Sequence, residues 1–358
     1  MSEFNTKELG KEVPVGMIQQ ELKKLWEADD ASTNASLMNL LVYTENPDDL
    51  VRNSESVREL TREHSCRALL IAMDRKAPEA SIRAWITAHC HLSNGKKSVC
   101  CEQIAFLLRG KAVGRLRNTA FANLNSDLPL VFWWQGELSD LFEERLYRLF
   151  DRLIIDSGTW QDPEAGFKKL IAAQETMDGK LLVQDLAWTR SFHIRVALAA
   201  LFDDPMAQRA VSKINKVKVV AQKSHRTAAL MIIAWLATQA GWRDGLELAL
   251  SDEKRTESGE NYFFETGQGG SVEVELIWDE TGAPLGLVEV SALDCVVRIA
   301  RDKSSKHLTQ FLEARDHKIE LSAPADEDEA VELLADQLSR GGQNSLYQKI
   351  LPRLCRLL

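Results

Sequence analysis

The stretch LMNLLVYTENPDDLVRNSESVRELTREHSCRALLIAMD, residues 37–74, decides the fold. It holds two apolar runs, at 37–45 and 66–74, and between them Asp48 and Asp49 suit the start of a helix. Continuous apolar runs of this length are typical of strands that are buried on both faces. The order strand, helix, strand predicts two parallel strands joined by a right-handed crossover, which is the building unit of a doubly wound sheet.

The segments on both sides extend this sheet. Upstream, the apolar residues of 14–28 recur at helical spacing and predict an amphipathic helix. Downstream, the runs at 82–92 and 98–108 flank a short Ser, Asn, Gly and Lys segment, which predicts an antiparallel hairpin beside the parallel strands. Further strands are predicted at 128–134, 152–157 and 216–222, and further helices near 112–123, 138–150, 163–177, 189–214 and 227–241.

The pattern changes near residue 250. The segments VEVELIW, LGLVEVSAL and CVVRIAR, separated by turns, predict an antiparallel meander, and an acidic helix with Asp326, Glu327 and Asp328 in its first turn follows. We therefore predict an α/β protein of two domains. Residues 1–250 form an N-terminal, doubly wound mixed sheet with helices on both faces, and residues 251–358 form a smaller C-terminal α+β domain with the meander.

Composition excludes several classes of protein. A net charge of -9 over 358 residues disfavours nucleic acid as a partner, because a phosphate backbone is bound by clustered Lys and Arg. The polar N-terminus and the absence of any run of about 18 apolar residues predict a cytoplasmic protein with no membrane partner. Six scattered cysteines do not form the framework of a small secreted domain, so we expect reduced thiols in the resting state.

The common catalytic signatures are missing. No phosphate-binding loop of the type G-x-x-x-x-G-K-S/T is present, no G-x-G-x-x-G follows the first strand, and no G-x-S-x-G elbow occurs. We therefore assign no catalytic residue, no cofactor and no metal, and we expect that the protein is not an enzyme.

The hairpin carries the densest cluster of reactive side chains. If its turn centres on Gly95 and Lys96, Cys90 opposes Cys101 on one face, which would suit a regulatory disulfide. The other face would then hold ligand types of a zinc site. The ordinary alternative is that the cysteines fill the core and the histidines bond locally. The redox or metal candidates are His89, Cys90, His91, Cys100, Cys101 and Glu102.

A second candidate is KSHRT, residues 223–227, which lies between a predicted strand and a predicted helix. The amides of the helix N-terminus, with Lys223, His225 and Arg226, could bind an anion such as a phosphate. The alternative is a capped helix with a solvated basic turn. Asp156 and Ser157, at the end of RLIIDS, would line the same crevice or simply begin a turn.

Two tryptophans stand next to each other at Trp133 and Trp134, within a predicted strand. Because neighbouring strand residues face opposite sides, both faces of this strand must accommodate a large ring. Burial between two helix layers is the ordinary explanation, and an interface anchor that also includes Trp188 is the alternative.

Six strings in order resemble the glucose-6-phosphate dehydrogenase assembly protein family, OpcA. They are LMNLLVYTENPDD, CRALLI, AHCHLSNGKKSVCCEQI, DLPLVFWWQG, DRLIIDS and DLAWTR, and the resemblance covers residues 14–220 closely and the meander only in outline. It implies a non-catalytic partner needed for activity or assembly of the dehydrogenase that opens the oxidative pentose phosphate pathway. The positions that match the family's pattern are His89, Cys90, His91, Cys100, Cys101, Glu102, Trp133, Trp134, Asp151, Arg152, Asp156, Ser157, Asp185, Trp188, Thr189 and Arg190.

Two functional hypotheses follow. The first is an assembly factor and allosteric activator that binds glucose-6-phosphate dehydrogenase, and its partner-binding candidates are Trp133, Trp134, Asp185, Trp188, Thr189 and Arg190. The second is a sugar-phosphate-binding protein or enzyme that uses Arg190 with the anion-binding candidates Lys223, His225 and Arg226.

Overall fold

A computed structural model describes residues 6–28, 36–93, 96–244, 255–340 and 345–358. The chain forms two compact units, each built around one large mixed sheet. The first unit comprises Met1–Asp156, Lys168–Gln184 and Leu334–Gly342, and the second comprises Ser157–Phe167, Asp185–Leu333 and Gln343–Leu358. This arrangement confirms the predicted α/β class.

The first sheet has eight strands in the order β1-β4-β5-β3-β2-β6-β7-β8. Their bounds are β1 Lys11–Val13, β2 Met38–Thr44, β3 Cys66–Asp74, β4 Ser81–Ser93, β5 Lys96–Arg109, β6 Leu130–Trp134, β7 Arg152–Ile155 and β8 Leu182–Asp185. Strands β5, β3, β2, β6 and β7 are parallel, whereas β4 is antiparallel to β5 and to β1. The predicted parallel pair and its antiparallel hairpin edge are therefore both present.

Helices accompany this sheet. They are α1 Ile18–Ala28, α2 Asp49–Leu60, α3 Leu116–Phe121, α4 Glu144–Tyr147 and α5 Pro163–Thr176. Strands β2 and β3 are almost completely buried, as their continuous apolar runs predict. The predicted crossover helix at 138–150 is reduced to the single turn of α4.

The second sheet has the order β10-β12-β13-β9-β14-β15-β16-β17, and β11 pairs with β12. Its strands are β9 Ile214–Ala221, β10 Arg243–Asp244, β11 Arg255–Thr256, β12 Gly259–Glu265, β13 Ser271–Trp278, β14 Leu285–Ala292, β15 Cys295–Ala300, β16 His307–Ala314 and β17 His317–Pro324. The remaining helices are α6 Leu186–Thr189, α7 Phe192–Phe202, α8 Pro205–Ala210, α9 Arg226–Gln239, α10 Ala330–Arg340 and α11 Ser345–Leu357. Every residue of α9 from Thr227 to Ala237 is buried, which agrees with its apolar sequence.

Two features differ from the sequence-based expectation. The segment predicted as one helix at 189–214 contains the end of α6, then α7, then α8. Helices α7 and α8 are separate because Asp204 caps α8 and Pro205 is its first residue. Strand β9 pairs in parallel with β13 and lies in the middle of the second sheet, so the second unit begins well before the predicted boundary at residue 250. Such a pairing joins segments more than fifty residues apart, and local pattern does not reveal it.

Candidate functional site

The edge at which a doubly wound sheet would bind a nucleotide carries carboxylate side chains in this protein. In such sheets the ligand lies beyond the carboxyl ends of the strands at which the strand order reverses, here β2 and β6. After β2 the chain runs Glu45-Asn46-Pro47-Asp48-Asp49, without a glycine. Asp49 begins α2, so a carboxylate stands at the helix N-terminus where a phosphate would otherwise bind.

An ion-pair network lies at the same edge of the sheet. Glu45 accepts a hydrogen bond from the Tyr43 hydroxyl at 2.6 Å and lies 2.9 Å from Arg75 Nε. Arg75 also donates to Asp140 at 2.6 Å. Burial, followed by the hydrogen bond to Glu45, raises the pKa of Tyr43 well above its usual range. Phosphate groups would meet carboxylates here, which disfavours the binding of a dinucleotide.

The hairpin register is one residue away from the predicted one. His89 opposes Cys101, Cys90 opposes Cys100, and a β-bulge follows His91. The predicted pairing of Cys90 with Cys101 is therefore wrong. Ser93 pairs with Lys96, two positions away from the predicted register, and the bulge after His91 brings the pairing back by one.

Cys90 and Cys100 form a disulfide, with their Cα atoms 4.1 Å apart. Cys101 and Cys66 are free and buried, and burial raises the pKa of both thiols. A thiolate is the reactive form, so neither free thiol is set up as a nucleophile. This disulfide differs from the expected reduced thiols, and redox activity of the candidate hairpin cysteines stays a prediction.

The metal hypothesis for the hairpin fails because its residues lie on opposite faces of the sheet. His89 bonds Gln103 at 3.0 Å and His91 bonds Thr61 at 2.9 Å on the side of α2. Glu102 lies on the other side, where Trp26 of α1 donates to it. Within the residues that the structure describes, no group of three or more His, Cys, Asp or Glu side chains is arranged to hold a metal ion.

Glu102 is instead buried and links a helix and a strand by hydrogen bonds. It accepts hydrogen bonds from Trp26 Nε1 and from the Arg67 guanidinium, each at 2.5 Å. Because Trp26 lies on α1 and Arg67 on β3, this carboxylate fixes the opening helix against the sheet. His89, His91 and Glu102 therefore form hydrogen bonds with neighbouring protein side chains, as the ordinary alternative states for the histidines.

The structure buries most of the predicted partner contacts. Trp133 and Trp134 are 4% and 0% exposed, and the ring of Trp134 lies 4.3 Å from that of Tyr43. Burial, the ordinary explanation for this pair, describes it, since both faces of β6 are covered, and the alternative of a partner contact through these rings is corrected to core packing. Asp185, Trp188 and Thr189 are also buried, so Arg190 is the one member of the six that is partly exposed.

The DLAWTR segment, residues 185–190, organises the second unit. Asp185 caps α6 by accepting from the amide of Ala187 at 3.0 Å, and it also accepts from the amide of Ser157 at 3.1 Å. The Tyr347 hydroxyl donates to it at 3.0 Å. Burial, and then the charge of Asp185, raises the pKa of Tyr347 well above its usual value.

Trp188 is held by a cation. The guanidinium carbon of Arg195 lies 3.2 Å from the centre of the Trp188 ring, and Arg195 donates to the carbonyl oxygens of Trp188 and Ser191. Sequence reasoning missed both Arg195 and Tyr347. Arg195 lies seven residues after Trp188 on the next helix, and Tyr347 lies 162 residues from Asp185, so local pattern points to neither contact.

The predicted anion site at KSHRT is occupied by carboxylates of the same chain. Glu280 accepts the amide hydrogen of Lys223 at 2.8 Å, and Glu260 binds both arms of the Arg226 guanidinium at 2.7 and 2.9 Å. The charge of Arg226 is therefore neutralised by Glu260. Burial lowers the pKa of Arg226, but the contacts with Glu260 and Tyr262 outweigh it, so the pKa lies above its ordinary value. Lys223 is exposed. Anion binding by Lys223, His225 and Arg226 stays a prediction.

Arg190 and His225 line one small cavity of about 10 Å³, together with Arg301, Asp326 and Asp328. Arg301 makes a bidentate pair with Asp328 at 2.9 Å, and Asp326 accepts from the backbone of His193. A volume of this size holds about one water molecule. A sugar phosphate does not fit into it as it stands.

The fold and these sites together define a class. It is a two-unit α/β protein with carboxylate side chains at the strand-end edge of its first sheet and beside the KSHRT turn. Residues 57–172 match the family model described as the glucose-6-phosphate dehydrogenase subunit N-terminal domain, and residues 182–351 match the corresponding C-terminal domain. The chain belongs to the glucose-6-phosphate dehydrogenase assembly protein family, OpcA.

Two relatives carry the OpcA name, each with a proposed place in the OxPP cycle. The protein from Synechococcus elongatus is 26% identical over 291 residues, which are 75% of this chain and 63% of that protein. The protein from Synechocystis sp. is 22% identical over 292 residues, 76% of this chain and 59% of that one. The chain thus spans about three fifths of the length of these relatives.

Solved structures give weaker similarities. The 3-ketoreductase KijD10 from Actinomadura kijaniata, in complex with NADP and TDP-benzene, has a TM-score of 0.46 and 11% identity, covering 89% of this chain and 95% of that one. An aldose-aldose oxidoreductase from Caulobacter crescentus has a TM-score of 0.48 and 11% identity, covering 89% and 97%. Among the described helices, none has both the length and the apolar character needed to cross a membrane.

Proposed function

We propose that this protein binds glucose-6-phosphate dehydrogenase and activates it or assists its assembly, without catalysing a reaction itself. Membership of the OpcA family, across both of its domains, carries the proposal. The carboxylates that occupy the strand-end crevice support the non-catalytic part, because they stand where an α/β enzyme would bind its nucleotide. The setting we propose is the oxidative pentose phosphate pathway in the cytoplasm.

Activation by a binding partner requires a difference in affinity. The protein must bind the active conformation or assembled form of the dehydrogenase more tightly than the inactive form, and the equilibrium then shifts by that difference. Such a partner needs a complementary surface and no reactive group. The buried positions of Trp133, Trp134, Asp185, Trp188 and Thr189 then serve to shape that surface, and Arg190 is the partly exposed member of these six partner-binding candidates.

The experiment is an activity titration. Increasing amounts of this protein are added to its cognate dehydrogenase at fixed glucose-6-phosphate and NADP, and NADPH formation is followed. We expect a saturable rise in rate, and no NADP reduction by this protein alone. Saturating protein that changes neither the rate, nor the substrate affinity, nor the oligomeric state of the dehydrogenase contradicts the proposal.

A charge reversal locates the contact. Arg190→Glu is compared with Lys23→Glu, which changes an exposed lysine of α1. If the surface around DLAWTR touches the dehydrogenase, Arg190→Glu raises the concentration needed for half-maximal activation at least tenfold, because loss of an interfacial charge pair costs about 2 kcal/mol or more. Lys23→Glu leaves it unchanged. Both variants must first show the wild-type melting profile, since Arg190 also lines the small cavity.

A further inference from the structure

The second sheet has one covered face and one open face. Along β9, Val217 and Val219 are buried, whereas Lys218 and Val220, which point to the other side, are partly exposed. The same alternation recurs in β13, β14 and β15. Helices α7, α8 and α9 contact these strands on the buried side. The opposite side is therefore a broad surface of partly exposed side chains.

The strand register arranges this open face in rows. Glu275, Lys218, Glu289 and Arg298 are direct neighbours on β13, β9, β14 and β15, so the charge alternates from strand to strand. The adjacent row, one pleat further along the strands, is apolar. It consists of Ile277, Val220, Leu287 and Ala300.

The rows are complementary to themselves about one line. The junction of β9 and β14 has four strands of the sheet on each side. A two-fold axis parallel to the strands at this junction places Lys218 over Glu289 of a second copy, and Glu275 over its Arg298. The same operation places Val220 over Leu287 and Ile277 over Ala300. An axis across the strands would instead place every charge over itself, which is repulsive.

We infer that the open face binds a second copy of this chain, with the two-fold axis along the junction of β9 and β14. An isologous contact of this kind is the commonest symmetry of soluble homo-oligomers. Eight strands spaced about 4.8 Å apart, with a length of about 20 to 25 Å, present roughly 800 to 900 Å² per copy, which matches the roughly 800 Å² that a stable interface buries on each side. Two sheets that pack with aligned strands form an ordinary sandwich.

The first test is a matched pair of substitutions. Leu287→Lys puts a charge into the apolar row, and Leu293→Lys makes the same change in the turn that follows β14, where the side chain is 90% exposed. By light scattering after gel filtration, wild type and Leu293→Lys should have twice the monomer mass, and Leu287→Lys should have the monomer mass. Circular dichroism melting shows that Leu287→Lys is folded.

The second test does not depend on a destabilising change. In one copy, Ile277 and Ala300 lie three strand spacings apart, about 14 Å, whereas the proposed axis places them opposite each other in two copies. Ile277→Cys/Ala300→Cys treated with a short bismaleimide should therefore run as a covalent dimer. The single variant Ile277→Cys should give only the wild-type background.

Three results overturn the inference. They are a monomeric wild type at micromolar concentration, a dimeric and folded Leu287→Lys, and a double cysteine variant that cross-links no more than the single one. If the wild type is monomeric and Leu287→Lys loses activation of the dehydrogenase, the dehydrogenase occupies the open face instead. The activity titration is independent of self-association, so failure of either proposal leaves the other standing.

Discussion

At the scale of single residues, carboxylates of the chain form hydrogen bonds and ion pairs at positions where an α/β enzyme would bind phosphate. Asp49 begins α2, Glu280 accepts the Lys223 amide, and Glu260 neutralises Arg226. Glu280 and Glu260 satisfy hydrogen-bond donors that a phosphate would otherwise satisfy. Sequence patterns identified the donors in KSHRT correctly, but the acceptors come from distant strands and turns. The sequence alone therefore could not show that Glu280 and Glu260 already bond these donors.

Asp185 is the carboxylate with the largest expected effect on stability. It accepts hydrogen bonds from two buried amides, of Ser157 and Ala187, and from Tyr347. Asp185→Ala leaves these donors without that acceptor, and each buried unsatisfied group costs about 1 to 3 kcal/mol. We expect the free energy of unfolding, measured in urea, to fall by at least about 2 kcal/mol. Asp203→Ala, at an exposed position, should change it by less than about 0.5 kcal/mol.

His89 gives the protein a pH-dependent stability. Burial lowers its pKa below the ordinary value of 6.5, despite the hydrogen bond that its Nε2 donates to the Oε1 of the neighbouring Gln103. The folded state therefore binds this proton more weakly than the unfolded state, so the free energy of unfolding decreases as the pH falls below about 6.5. His91, whose pKa is lowered by burial and by the charge of Arg62, acts in the same direction.

The prediction is that His89→Gln loses less stability than the wild type between pH 7.5 and 5.5. Urea unfolding at the two pH values measures the difference. His307→Gln, at an exposed position of β16, is the control and should behave like the wild type. A His89→Gln curve that declines in parallel with the wild type would mean that the proton is taken up elsewhere.

At the scale of elements, sequence patterns identified most strands and helices, and errors arose where a single residue changes the register or ends a helix. The apolar runs of β2 and β3 and the periodicity of α1 predict these elements to within a few residues. The bulge after His91 has no clear signature in the sequence, yet it decides which cysteine faces Cys90. Asp204 followed by Pro205, in contrast, is a pattern typical of a helix start, and the prediction of one helix at 189–214 did not use it.

The hairpin register makes a prediction about cysteine pairing. Under oxidising conditions, peptide mapping by mass spectrometry should find Cys90 linked to Cys100, because the two residues are direct neighbours across the strands. Cys100→Ser should abolish the link, whereas Cys101→Ser should leave it intact, since Cys101 faces the other side of the sheet. A link between Cys90 and Cys101 would show that the strands pair in the register first predicted from the turn.

At the scale of the whole molecule, the family could be recognised from the sequence, but the division into units could not. The six family strings lie in order along the chain, and both family domains match. The meander from residue 250 was recognised, but its parallel partner β9 lies before α9 in the chain. Pairings between distant segments depend on tertiary packing, whereas residue pattern reports local structure.

The proposed function makes a last prediction for the isolated protein. Because Glu45, Asp49 and Asp140 lie at the strand-end edge of the first sheet, and because the cavity beside Arg190 holds about one water molecule, neither of these two places offers NADP or glucose-6-phosphate a built site. A ligand that binds only the folded state must raise the melting temperature, by an amount that grows with its concentration. We therefore expect no change with either compound up to millimolar concentration. Potassium sulfate at equal ionic strength controls for salt effects on surface charges. A saturable rise with glucose-6-phosphate that sulfate does not reproduce, and that Lys223→Ala abolishes, would instead establish the sugar-phosphate hypothesis.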